Sequence, residues 1–350
     1  MNQSQTFITE VDVHDDTALR EWYDVVVAAE REGLDDLATV WTFPEVQVMM
    51  REPSRLRERH VFVGRAGAVD GPVVASGSVV FFLQDNPTKA NFLVCVHPDQ
   101  RRRGHGAAML GSMERAALAA GRSLMSTEIN WPESFGSDAD NWPGREFARK
   151  HGYPLTLGEV QRELAIPVDA ALLDALASEA ATAHEGYEVR SWVGPVPDEL
   201  ALGWETLASS LMTEAPMGDG EHEPEVVDVA NLREHEALTA KQGRTMCCAV
   251  ALTAEGEVAA YTDLAVTPHE SGKAYQWGTL VRGSDRGHRL GLAVKVANIR
   301  LLQSLDLGVV RVVTWNAEVN DHMIAINERL GFAVVARAGE FQKRLAPRDA

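Results

Sequence analysis

Two arginine- and glycine-bearing turns carry the most specific chemistry in this chain. The first closes the run Val94-Cys95-Val96-His97-Pro98-Asp99-Gln100-Arg101-Arg102-Arg103-Gly104-His105-Gly106. An imperfect copy closes Thr279-Leu280-Val281-Arg282-Gly283-Ser284-Asp285-Arg286-Gly287-His288-Arg289-Leu290-Gly291. In each, an apolar strand runs into the turn and an Ala/Leu-rich amphipathic stretch leaves it. That order sets backbone N–H groups and a helix N-terminus against an anion, so each turn reads as a phosphate cradle. The basic residues gathered there stand out in a chain whose formal net charge is −18.

The elements that hold these turns are themselves duplicated. Lys150-His151-Gly152-Tyr153 answers to Arg329-Leu330-Gly331-Phe332, and Glu159-Val160-Gln161-Arg162-Glu163-Leu164 to Glu340-Phe341-Gln342-Lys343-Arg344-Leu345. Subtracting residue numbers gives offsets of 185 for Arg101 to Arg286, 179 for Gly152 to Gly331 and 181 for Glu159 to Glu340. A near-constant offset of about half the chain implies two homologous domains rather than a solenoid. We expect them at 1–166 and 186–350, joined by a helix within 167–185.

Periodicity and turn residues predict the same plan twice. Strands Val61–Arg65, Val73–Phe82 and Ala90–Val96 lead to the first turn. Helix Ala107–Ala120, strand Ser123–Asn130, loop Trp131–Pro143 and helix Arg145–His151 follow. In the second half, strands Met246–Thr253, Val258–Pro268 and Lys273–Val281 precede the turn. Helix Leu290–Leu305, strand Val309–Thr314, helix Asp321–Leu330 and strand Phe341–Leu345 follow it. The stretch Leu34–Met50 reads as irregular or helical, broken at Pro44.

At 350 residues the chain has room for two domains, each with its own core. No apolar run approaches the roughly 20 residues of a membrane span, and Met1–Glu10 lacks the pattern of a secretory signal. A cytoplasmic protein without a membrane partner is expected. The acidic balance opposes nonspecific nucleic-acid binding, which needs a basic face. The three cysteines, Cys95, Cys247 and Cys248, have neither disulfide nor zinc spacing, and no metal is expected.

With these landmarks in place, both halves resemble the GNAT superfamily of acyl-CoA-dependent N-acyltransferases, and the whole resembles its tandem two-domain members. The family signature, Gln/Arg-x-x-Gly-x-Gly/Ala, is met by Arg101-x-x-Gly104-x-Gly106, whereas Arg286-x-x-Arg289-x-Gly291 lacks the first glycine. The resemblance implies an α/β fold of two mixed, mainly antiparallel sheets flanked by helices. It also implies acetyl-CoA as cosubstrate and direct acyl transfer to a small-molecule amine.

Coenzyme contacts are then expected from Val94, Val96, Arg101, Arg102, Arg103, Gly104, His105 and Gly106. In the second half they fall on Leu280, Val281, Arg286, Gly287, His288, Arg289, Leu290, Gly291, Lys295 and Asn316. The tyrosine that the family commonly uses as general acid is replaced by Ala148 and Asn327. Hydrogen-bond support for the leaving thiolate is therefore expected from Asn320 or Asn327. Candidates for the base are Asp263, on the second half's middle strand, and Glu221, His222 and Glu223, in its substrate-side loop. The second half is favoured as catalytic because it keeps Asn316-Ala317-Glu318-Val319-Asn320. The competing reading is a non-catalytic acyl-CoA-binding or regulatory protein, and oligomeric state is left open.

Overall fold

The computed structural model describes residues 5–346. Along the chain the elements are β1 (Thr6–Glu10), α1 (Asp16–Arg31), α2 (Phe43–Arg51), β2 (Arg57–Ala66), β3 (Val73–Phe82), β4 (Lys89–Val96), α3 (His105–Ala119), β5 (Leu124–Pro132), α4 (Pro143–Lys150) and β6 (Leu155–Ala165). They continue with α5 (Ala170–Ala181), β7 (Glu188–Val193), α6 (Asp198–Glu214), α7 (Val229–Lys241), β8 (Thr245–Leu252), β9 (Val258–Val266), β10 (Lys273–Val281), α8 (Leu290–Ser304), β11 (Arg311–Ala317), α9 (Asp321–Leu330) and β12 (Ala333–Arg344).

The chain forms two compact units, and neither is a contiguous half. The first comprises residues 1–158, 218–221 and 336–350; the second comprises 159–217 and 222–335. The first unit orders its strands β1-β2-β3-β4-β5-β12, and the second β6-β11-β10-β9-β8-β7. Each unit thus takes its final strand from the other half of the sequence. β12 pairs antiparallel with β5 from Ala336↔Pro132 to Arg344↔Leu124. β6 pairs antiparallel with β11 from Arg311↔Ala165 to Ala317↔Glu159.

Two differences from the sequence expectation have local causes. Pro44 does not break a helix but starts α2: it occupies the first turn, where a missing N–H costs nothing, behind a Thr42/Glu45 capping box. β6 was not expected as a strand, because Glu159, Arg162 and Glu163 interrupt its apolar pattern.

Within each unit neighbouring strands pair antiparallel except where a helix crosses over. α3 links the parallel pair β4 and β5, and α8 links β10 and β11. In the first unit, Ala90 and Phe92 of β4 pack under Met109, Leu110 and Met113 of α3. Cys95 belongs to the opposite cluster with Leu19, Trp22 and Val25 of α1. In the second, Leu264 and Ala274 pack under Leu292 and Val296 of α8, while Tyr261 packs with Trp204 of α6. Alternating strand residues therefore present two chemically separate faces to any opening in the sheet.

Candidate functional site

The first turn is built from within. Arg101 donates from Nε to the Val96 carbonyl at 3.4 Å and pairs with Glu32 at 3.0 Å. Arg102 and Gly104 take left-handed conformations, with φ of 65° and 95°. Successive N–H groups then line a concavity at the head of α3. His105 is buried beneath, its Nδ1 2.8 Å from the Thr6 hydroxyl. Burial and then the charge of Arg103 lower its pKa, favouring the neutral ring. Arg102 and Arg103 are exposed and make no ion pair among the described residues.

Beyond the turn the sheet opens. β4 and β5 pair only from Lys89↔Leu124 to Asn91↔Ser126. From Phe92 onward one edge of β4 faces a cavity of about 1100 Å³. Val94, Val96 and residues 100–107 line it, as do residues from both faces of the sheet. Leu110, Ile129 and Phe147 belong to the α3 side; Leu93, Cys95, Glu30 and Glu128 belong to the α1 side.

Neither carboxylate was singled out by the sequence reading. The Cys95 thiol donates to Glu30 at 3.6 Å. Burial raises the pKa of Glu30 against that bond. Glu128 keeps solvent access through the cleft, yet the protein around it raises its pKa, with further push from the charges of Glu340 and Glu30. Asn130 donates to it at 3.2 Å.

The second turn follows the same backbone path with its glycine displaced. Here Gly287 and Arg289 are left-handed, at φ of 90° and 54°. Its basic side chains are engaged: Arg286 pairs with Glu214 at 2.6 Å, and Arg289 with Glu179 at 2.8 Å. His288 Nδ1 lies 3.0 Å from the Ala183 carbonyl. Leu290 and Gly291 begin α8 in a buried position, and Leu280 and Val281 lead into the turn at the end of β10.

β10 and β11 also separate, after Tyr275↔Val313. β10 carries a bulge between Gln276 and Thr279, an extra residue that re-aims the backbone. The freed Gly278 N–H donates to Asp263 Oδ1 at 2.7 Å. A Cβ on Gly278 would stand 2.4 Å from the Tyr261 hydroxyl, so only glycine fits. Burial lifts the Asp263 pKa to about 7 in spite of that N–H bond. Two residues on from Tyr261, Asp263 faces α6.

On the α8 side, three expected residues meet. Lys295 is 1% exposed and donates from Nζ to Asn327 Oδ1 at 2.7 Å. Asn327 in turn donates to Asn316 Oδ1 at 3.2 Å. Desolvation lowers the Lys295 pKa to about 7. Asn320 stands apart as the N-cap of α9, its side-chain oxygen accepting from Met323 N–H at 3.1 Å. Glu221 and His222 do not converge. Glu221 pairs with Arg344 in the first unit, whereas His222 lies in the second, 3.4 Å from Glu225.

No protein-family model and no curated protein matches the chain. Solved structures do. A tandem GNAT protein from the clavulanic acid biosynthesis pathway aligns with a TM-score of 0.79 at 24% identity, over 99% of this chain and 100% of that one. The chain has the tandem GNAT fold. A GCN5-related N-acetyltransferase from Sphaerobacter thermophilus aligns with a TM-score of 0.64 at 15% identity, over 98% and 96% of the two chains. The GCN5-related glucosamine N-acetyltransferase region of a fungal multi-domain GH3 β-N-acetylglucosaminidase gives the same score at 14% identity, covering 97% of this chain and 38% of that one. Each unit has a strand opening and, beside it, its turn. Among the described residues no group of His, Cys, Asp or Glu is placed to hold a metal ion, and no helix is long and apolar enough to cross a membrane.

Proposed function

We propose that this protein transfers an acyl group, acetyl in the simplest case, from a coenzyme A thioester to the amine of a small molecule, with the chemistry in the second unit. One observation carries the choice of unit: Asp263 of β9, bonded to Gly278 in the β10 bulge, and Lys295 of α8, linked through Asn327 to Asn316 of β11, flank the strands that part, each with its pKa brought to about 7. A base and an acid poised near the working pH are what proton transfer at both ends of the reaction requires. Asp263 takes the proton from the attacking amine on the α6 side. Lys295, as ammonium held by Asn327, supports the departing thiolate on the α8 side.

The coenzyme fits the chain's own groups. Left-handed turn residues turn N–H groups toward a diphosphate, and the separated strand edge offers main-chain groups to the pantetheine arm. In the first unit the exposed Arg102 and Arg103 add charge at the mouth of the cavity. In the second, the pairs of Arg286 and Arg289 are exposed ones worth about 0–1 kcal/mol, so exchanging a carboxylate for a phosphate costs little.

Those same two pairs favour the competing reading, a coenzyme-binding protein without turnover. A thiol-release assay with acetyl-CoA and an amine panel separates the two. The proposal expects acceptor-dependent release that falls in Asp263→Asn. Coenzyme binding with no release for any amine supports the competitor, and release unchanged in the variant for every amine overturns the choice of Asp263.

A further inference from the structure

The cavity of the first unit is more than a coenzyme clamp. Its two ends differ in charge: exposed Arg102 and Arg103 stand at the head of α3, and Glu30 and Glu128 stand on the α1 side of the same opening. The lining crosses the sheet, because Val94 and Ile129 belong to one face and Leu93 and Cys95 to the other. A thioester anchored at the arginine end reaches the strand gap from the α3 side. The α1 side is then left open to a second reactant, and what meets it there is a pair of carboxylates lining one cavity, with the charge of Glu30 acting on Glu128.

We propose that the first unit is a second acylation centre, whose acceptors are amines carrying an additional positive charge, with Glu128 as base and Glu30 as anchor for the second cation. The proposal shares with the reading above only its donor, the coenzyme A thioester. The neutral amine nitrogen attacks the thioester carbonyl, forming the C–N bond as the C–S bond breaks. The amine proton passes to the Glu128 carboxylate, and the sulfur leaves with the bonding pair as thiolate, protonated afterwards from solvent.

The charge count selects the acceptor. Arg101 acts on Glu30 but is itself paired with Glu32 at 3.0 Å, so Glu30 and Glu128 are left as the two unbalanced carboxylates facing the cleft, and a monoamine neutralises one of them at most. A second ammonium at Glu30 balances that charge while Glu128 stays free to accept the proton. An acceptor bearing its own carboxylate adds repulsion instead. Cys95 fixes the Glu30 side chain through its thiol, and Asn130 does the same for Glu128.

The test uses the full chain carrying Asp263→Asn, with acetyl-CoA and three acceptors of equal length: a four-carbon diamine, butylamine and an ω-amino acid. Thiol release is expected to persist with the diamine, at least about tenfold above butylamine, with the amino acid slowest. Adding Glu128→Gln should lower kcat by about a hundredfold. Adding Glu30→Gln should bring the diamine and monoamine to parity through KM while kcat holds. Calorimetry with acetyl-CoA checks that each variant keeps its first coenzyme site.

Coenzyme binding with no diamine turnover in Asp263→Asn overturns the proposal, as does turnover that Glu128→Gln leaves unchanged. If Glu128→Gln alone abolishes all release and Asp263→Asn abolishes none, the second-unit reading fails and this one stands. Absence of coenzyme binding sinks both.

Discussion

The two turns solve one backbone problem with glycine in different places. Both need two left-handed residues. The first turn uses Arg102 and Gly104, and the second uses Gly287 and Arg289. A non-glycine residue in that region costs roughly 1–2 kcal/mol, so each turn bears this cost once. The arginine at position 289, which reads in the sequence as a missing motif glycine, is therefore a displaced one, and the cradle's shape survives. The units differ instead in what surrounds the turn. In the first, Arg101 holds Glu32 but Arg102 and Arg103 are exposed with no ion pair among the described residues, and the strand opening is a cavity. In the second, the arginines hold carboxylates and a buried Lys–Asn–Asn chain lines the α8 side.

The sharpest break between the units should come from Asp263→Asn. Loss of a general base lowers turnover on the order of 10²–10⁴-fold for acceptors served by the second unit, while coenzyme binding in the first stays intact. Stopped thiol release with calorimetric stoichiometry would show both.

A pH profile comes next. With Asp263 required as carboxylate and Lys295 as ammonium, and both near 7, kcat/KM should follow a narrow bell centred close to pH 7. Lys295→Met should remove the alkaline limb. The stability signs differ from the usual carboxylate case. Asp263 is raised, so the folded state binds the extra proton, and its stabilising share is lost as pH rises from the unfolded value towards 7. Lys295 is lowered, so stability falls as pH drops from the unfolded lysine value towards 7. Thermal melts of Asp263→Asn across pH 4–7 should be flatter than those of the parent.

Gly104→Val places a β-branched residue at a φ of 95° and should weaken coenzyme affinity at the first unit by at least about tenfold, with the second site unmoved. Arg289→Gly should do least. It relieves one left-handed side chain but gives up the Glu179 pair, leaving stability within about 1 kcal/mol and second-site affinity within about threefold. A tenfold loss would instead make Arg289 a direct phosphate ligand.

Much of the plan was legible. β10 and α9 fall on the expected residues, and α8 ends one residue early, because long apolar runs with turn residues at their ends mark their own limits. The turns were found for the same reason. Partners were not. Glu159–Leu164 and Glu340–Leu345 answer to each other in the repeat, yet no local pattern says that each closes the strands of the other half. The bonding of Lys295, Asn327 and Asn316 depends on three separate elements meeting. Glu30 and Glu128 acquire meaning only when α1 and β5 flank one opening, although Glu128 lies in the expected strand Ser123–Asn130.

The traded strands also set a schedule for biosynthesis. As the chain leaves the ribosome, the sheet containing the first cradle has its β5 edge bare until residues 336–344 emerge. Its backbone groups must be shielded or wait in water meanwhile, the exposure that makes partly made sheets prone to mispair. A nascent chain stopped after β6 thus carries an open template, and the first unit closes only when the second is almost wholly translated.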